Sequence, residues 1–104
     1  MGWIGKSCAL VNPQFGPRLR LATLLTDAPL KPDVSMKNKC RNCTKCVDAC
    51  PVHAITDAPV DIREPRNCRL DFDKCNIYLK AQSEKLGAWI CGCCIVACPW
   101  GNKK

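Results

Sequence analysis

The sequence predicts a small α+β fold, on three observations. Two cysteine runs each close on Cys-Pro, which marks a short helical turn stopped by proline. A stretch between them carries helix-period apolar residues. Near the N-terminus, two apolar runs flank a Pro/Gly cluster, the pattern of a β-hairpin. The chain has 104 residues, enough for one small domain and not for two.

The hairpin is expected from Cys8-Ala9-Leu10-Val11 and Leu19-Arg20-Leu21-Ala22-Thr23-Leu24-Leu25, joined by Asn12-Pro13-Gln14-Phe15-Gly16-Pro17. In the second run Leu19, Leu21 and Thr23 alternate with Arg20, Ala22 and Leu24, as in a half-buried strand. An isolated hairpin is marginal in water, so its apolar face must pack on a further body. Ala28-Pro29-Leu30-Lys31-Pro32-Asp33 reads as a linker, because two prolines in four residues favour an extended path. The chain therefore divides into a hairpin and linker, 1–35, and a cysteine-rich unit, 36–104.

Within that unit, residues 44–50 form one or two helical turns stopped by Pro51, and 54–56 form a short strand. Residues 57–65 are polar and proline-containing, hence loop. Phe72, Cys75, Ile77 or Tyr78, Leu79 and Leu86 fall at helical spacing, predicting a helix over 72–85 with Gly87 as its C′ residue. A second short helix, 94–98, stops at Pro99.

Hydrophobic residues make up 47% of the chain, but cysteine supplies eleven of them. The remaining apolar set is thin for a self-supporting core of this size. Bound metal would supply the difference, since metal-binding free energy in such sites is folding free energy. The N-terminal MGWIGKSCALVNP lacks the long apolar run of a signal peptide, which argues against a secreted disulfide scaffold. No apolar stretch reaches the roughly 18 residues of a membrane span. A reduced, cytoplasmic setting is expected.

The first cysteine run is Cys40-x2-Cys43-x2-Cys46-x3-Cys50-Pro51, the spacing that wraps [4Fe–4S] clusters in bacterial ferredoxins. The second, Cys91-x2-Cys94-x3-Cys98-Pro99, matches its last three cysteines. Three thiolates on a tight turn and the helical turn after it grip three corners of a cube, and the Cys before Pro points toward a second cube. Structural zinc uses paired Cys-x2-Cys instead. Two [4Fe–4S] clusters are the expected cofactors.

In two-cluster ferredoxins the motifs exchange their fourth cysteine. Cys40, Cys43, Cys46 and Cys98 would then hold cluster 1. Cys50, Cys91 and Cys94 would hold cluster 2, one ligand short, because Ala88 stands where a complete second motif has Cys. Cys75, Cys68 and Cys93 can complete it. Neighbours on a helical turn diverge by about 100°, which disfavours Cys93 beside Cys94. Cys68 lies in polar Arg66-Asn67-Cys68-Arg69, whereas Cys75 sits on the apolar face of the expected helix. Cys75 is favoured and Cys68 is its main competitor.

Other residues carry plainer readings. Cys8 reads as a buried free thiol and His53 as a turn residue. Trp89 and Trp100 flank the second motif, where they pack or keep water from a cluster. Trp3 has no discriminating context. The net charge of +7 falls to about +3 once two clusters of about −2 each are bound. The basic residues form no dense stripe with aromatics between them, so direct nucleic-acid binding is not expected. No nucleophile–base pair, paired carboxylate or phosphate loop is evident.

A family resemblance adds to this. Gly2-Trp3-Ile4-Gly5-Lys6-Ser7, Asn12-Pro13, Phe15-Gly16-Pro17-Arg18 and Leu25-Thr26-Asp27-Ala28-Pro29-Leu30 resemble the segment before the ferredoxin-type domain of epoxyqueuosine reductases. The cysteine part resembles those enzymes and the related corrinoid-dependent reductive dehalogenases. Asp73-Lys74-Cys75-Asn76-Ile77-Tyr78 looks like the family's isolated cysteine, and residues 91–100 look like its closing motif, with Cys93 where a non-Cys residue is usual. The resemblance implies Cys75 over Cys68 and Cys93. It also implies a relay of single electrons through two [4Fe–4S] clusters to a cobalamin in a nitroreductase-like domain. There reduced cobalt attacks an epoxide on a tRNA base or a carbon–halogen bond. That domain, which would carry the catalytic acid, is missing from this chain. Residues 1–30 are expected to be its tail, and a corrinoid-binding domain or partner protein to supply the rest.

Three functions compete. The first is the electron-transfer module of a corrinoid-dependent reductase. The second is a free-standing ferredoxin-like carrier, which has no need of an orphan apolar hairpin. The third is a zinc-bound structural or nucleic-acid-binding module.

Overall fold

The computed structural model describes residues 1–58 and 63–102. Strand β1 (Trp3–Ile4) pairs antiparallel with β2 (Leu10–Val11), in the register Trp3 to Val11 and Ile4 to Leu10. The five-residue loop between them closes on itself. The Gly5 N–H donates to the Ala9 carbonyl at 2.9 Å and the Cys8 N–H to the Gly5 carbonyl at 3.0 Å. Cys8 takes the left-handed conformation, φ 60°, which a non-glycine residue adopts only when its surroundings hold it there.

This hairpin corrects the expected one. Cys8-Ala9-Leu10-Val11 does supply a strand, but its partner is Trp3–Ile4. Residues 19–25 form no strand, and Leu24 and Leu25 are 89% and 92% exposed. The reason lies in Asn12-Pro13-Gln14-Phe15-Gly16. Asn12 and Gly16 exchange two backbone hydrogen bonds at 2.8 Å, and the Asn12 side chain accepts from the Gln14 and Phe15 N–H groups. The turn thus closes on itself after one bridge, and Pro17 has no N–H to extend the ladder. Gly16, at φ 64°, abuts Gly101, where a Cβ would strike the Gly101 backbone.

The hairpin's apolar face is covered within the chain. Trp3 is 1% exposed, and its ring meets Trp100 edge-on at 5.0 Å and 80°. Val11 is buried with it. Lys39 lies over both rings, 5.9 and 5.7 Å from their centroids, a cation–π placement. Further links join residues 1–17 to the rest: the Met36 N–H donates to the Gly2 carbonyl, the Asn38 side-chain amide to the Ile4 carbonyl, the N-terminal ammonium pairs with Asp33, and Lys6 pairs with Asp57.

Helix α1 (Lys45–Ala49) follows the first cysteine turn. The expected strand at 54–56 reduces to one bridge, Ile55 to Leu70. It is flanked by bonds from the Thr56 N–H to the Arg69 carbonyl and from the Asp71 N–H to the Ala54 carbonyl. Ala54 and Ile55 are buried there. Part of the expected 57–65 loop lies outside the described residues. A 3-10 turn (Arg66–Cys68) then leads into α2 (Phe72–Leu86).

Helix α2 begins and ends as its sequence dictates. The Asp71 side chain accepts from the Lys74 N–H, an N-cap. Gly87, at φ 72°, supplies the left-handed C-terminal residue. Phe72, Cys75, Tyr78 and Leu79 are half-buried, whereas Ile77 and Leu86 face outward. The inward face is therefore narrower than the apolar spacing suggested, and Cys75 lies on it. Helix α3 (Cys93–Val96) and a 3-10 turn (Pro99–Gly101) complete the chain, with α3 packed against α1. No helix among the described residues is long and apolar enough to cross a membrane.

Candidate iron–sulfur site

The first cysteine turn is built by its polar neighbours. The Cys40 N–H donates to the Asn38 side chain at 2.8 Å, and the Cys43 N–H to the Cys40 carbonyl at 2.9 Å. Arg41 takes φ 47° to make the bend. The Asp48 N–H then donates to the Thr44 carbonyl, starting α1, while the Thr44 hydroxyl donates to the Asp48 carboxylate. Cys40, Cys43 and Cys46 thus ride one compact turn.

Cys50 and Cys98 leave their helices in the same way, at φ −70°, ψ 117° and φ −68°, ψ 120°. The following proline imposes this, since the residue before Pro is driven out of the helical region. Each thiol is thereby directed away from its own turn. The Ala54 N–H donates to Cys50 Sγ at 3.3 Å.

Cys40, Cys43, Cys46 and Cys98 line one cavity, together with Gly5, Lys6, Ser7, Val11, Pro99 and Trp100. Cys98 therefore joins the three cysteines of the other motif. Burial pushes the Cys46 thiol up, and Cys40 and Cys43 add to the effect.

Cys75 and Cys94 each lie near enough to Cys50 and Cys91 to feel their charge, a second group of thiols. Burial raises the Cys75 thiol first, and Cys50 and Cys91 raise it further. Cys94 is pushed up to about 11, by burial first and then by Cys91, Cys46 and Cys50. Cys46 and Cys94 are thus near enough to interact, which follows from the packing of α1 on α3.

Cys93 lies closer to this group than helical divergence suggested. Its thiol is raised above all by a side-chain hydrogen bond with Cys91, and Cys50 also acts on it. Gly92, in the left-handed conformation at φ 72°, bends the chain between Cys91 and Cys93. Cys68 is exposed on its 3-10 turn. Cys8 lines a different cavity with Ile4, Leu10, Leu21, Arg66 and Arg69. His53 and Trp89 are exposed, whereas Trp100 lines the first cavity.

The donor set fits iron–sulfur cubes. Among the described residues, no three His, Cys, Asp or Glu side chains converge tightly enough to hold a single ion. Chelating one tetrahedral zinc places sulfurs within about 4 Å of one another. A cube takes each thiolate at a different iron, so its ligands line a cavity instead of meeting at a point.

Sequence reasoning missed the contribution of the hairpin. Gly5, Lys6 and Ser7 come from its loop yet line the first cavity. A Cβ on Gly5 would lie 3.6 Å from Cys40 Sγ and press on Val11. The only signal for this was Gly5 itself, in a loop otherwise assigned to another domain.

Comparison with known proteins agrees with the cysteine geometry. A family model described as a 4Fe-4S double cluster binding domain matches residues 39–101. An epoxyqueuosine reductase of Leadbetterella byssophila is 34% identical over 113 residues, covering 98% of this chain and 34% of that protein. One from Bacillus anthracis is 32% identical over 109 residues, covering 95% of this chain and 26% of that protein. The tetrachloroethene reductive dehalogenase of Desulfitobacterium hafniense is 32% identical over 113 residues, covering 98% of this chain and 20% of that protein. The chain thus spans between 20% and 34% of the length of these curated relatives. No solved structure matches it. By the 39–101 match and the cysteine pattern that underlies it, the chain belongs to the 4Fe-4S double cluster binding domain family.

Proposed function

We propose that the chain relays single electrons to a corrinoid-dependent reductase centre of the epoxyqueuosine reductase kind, carried by a further domain or a partner protein. Cys40, Cys43, Cys46 and Cys98 hold one [4Fe–4S] cluster, and Cys50, Cys75, Cys91 and Cys94 hold the other. Bound there, the clusters supply one-electron redox chemistry. Residues 1–35 contribute the hairpin and linker, and 36–104 the double-cluster unit. The setting is cytoplasmic, where the thiols stay reduced.

The observation that carries this reading is the pair of adjacent thiol groups, with Cys46 and Cys94 close enough to interact across α1 and α3. Neighbouring clusters suit stepwise electron passage. The hairpin loop and Trp100 cover the first group, which limits water and so tunes its potential. Leu21, Leu24, Leu25, Leu30 and Val34 are exposed in one stretch. That favours a module docked on a larger body over a free-standing carrier.

The test is a reductive titration of the anaerobically reconstituted chain. Two electrons per chain are expected, in one-electron steps. No epoxide or organohalide turnover is expected when cobalamin is added to the chain alone. Turnover by the chain alone, or uptake of a single electron, overturns the reading.

A further inference from the structure

The ligands proposed above leave three of the eleven cysteines: Cys8, Cys68 and Cys93. Cys68 is exposed, and Cys8 lines a cavity with no other cysteine in its wall. Cys93 is placed differently. It is half-buried, and its side chain is hydrogen-bonded to that of Cys91, with Cys50 also near enough to act on it. Gly92 permits the contact. It is left-handed at φ 72°, and α3 starts with Cys93 directly after it.

The contact has one direction once a cluster is bound. Cys91 gives up its proton to coordinate iron, so its sulfur can only accept. Cys93, outside the ligand set, keeps an S–H to donate. A thiolate accepts more strongly than a thiol, because the bond becomes charge-assisted. Cys93 is not needed as a ligand, since Cys50, Cys75, Cys91 and Cys94 meet the four irons of the cube. The first motif has no counterpart to it. Cys43-Thr44-Lys45-Cys46 corresponds to Cys91-Gly92-Cys93-Cys94, and Lys45 is exposed.

We propose that Cys93 tunes the second cluster, donating an S–H hydrogen bond to the sulfur of its ligand Cys91 and so raising that cluster's potential. This role rests on the two-cluster reading above. Hydrogen bonds to ligand sulfurs are among the levers that set such potentials. When one electron enters from a reductant, negative charge on the ligand sulfurs grows and the Cys93 bond strengthens. No covalent bond forms or breaks, and the proton stays on Cys93. The first cluster lacks this donor. Cys93 therefore shifts the pair toward holding the electron on the second cluster.

The test is a redox titration of the anaerobically reconstituted chain and of its Cys93→Ala and Cys93→Ser variants, each with its iron counted. The potential missing from Cys75→Ser identifies the second cluster. All three chains should hold about eight irons. In Cys93→Ala the second cluster's reduction equilibrium should weaken about threefold, roughly 30 mV for one electron, while the first potential stays in place. In Cys93→Ser, which keeps the volume and an O–H donor, the second potential should lie at or above that of the unmodified chain. Loss of four irons in Cys93→Ala makes Cys93 a ligand and overturns the proposal. An equal fall in Cys93→Ser also overturns it, because packing then explains the effect. Cys93→Ser decides the matter by itself if Cys93→Ala fails to fold. Fewer than eight irons in the unmodified chain overturns the two-cluster reading and this role with it, whereas eight irons with unmoved potentials in Cys93→Ala overturns this role alone.

Discussion

Replacing Trp3 by Ala should release one cluster far faster than the other. Trp3 is fully buried, packs edge-on against Trp100 and anchors the hairpin whose loop covers the first thiol group. Truncating a buried Trp costs about 3–5 kcal/mol. Its Nε1 is buried without a partner, so removing that donor returns about 1 kcal/mol. A net loss of about 3 kcal/mol raises the population of the opened hairpin roughly a hundredfold. When opening and closing are fast, chelator attack follows that population. The assay is iron release to a chelator from the reconstituted chain, followed with time. About half the iron should leave roughly a hundredfold faster than in the unmodified chain, and the rest at nearly its original rate. Leu25→Ala, at a 92% exposed position, should change neither phase. Equal acceleration of all the iron, or none, would refute the idea that the hairpin covers one group selectively.

Other predictions address the ligands, the backbone and pH. Cys75→Ser should leave about four irons per chain after reconstitution and Cys68→Ser about eight; the reverse pattern reassigns the fourth ligand. Gly16→Ala should destabilise well beyond Gly87→Ala. Both glycines are left-handed, but only at Gly16 does a Cβ strike backbone, while at Gly87 it meets open space. Gly87→Ala should cost about 1 kcal/mol, and thermal melts of the two variants compare them. The metal-free fold should lose stability as pH rises from about 9 toward 11. Cys94 is raised from its ordinary 9.0 to about 11, so the unfolded chain loses that proton first. Denaturant unfolding of the metal-free chain across this window checks the sign. Stability that rises there would contradict it.

Much of the site was legible because cluster ligation constrains spacing. The x2, x2, x3 intervals and the terminal Cys-Pro encode a turn, a helical turn and an exit, and Cys50 and Cys98 leave their helices with nearly identical backbone angles. The place of Cys75 on the inward face of α2 was legible from periodicity, because α2 carries its own cap at Asp71 and its own stop at Gly87. The hairpin partner was not legible. Leu19 to Leu25 alternates well, but pairing is decided by the turn, and the Asn12–Gly16 turn closes too tightly to return a second strand. The hydrogen bond between Cys93 and Cys91 across left-handed Gly92 was not legible from spacing.

The central claim is that this one chain holds two [4Fe–4S] clusters, and counting iron and acid-labile sulfide after anaerobic reconstitution tests it most directly. About eight of each per chain are expected. Zinc without sulfide, or four irons in the unmodified chain, would contradict it.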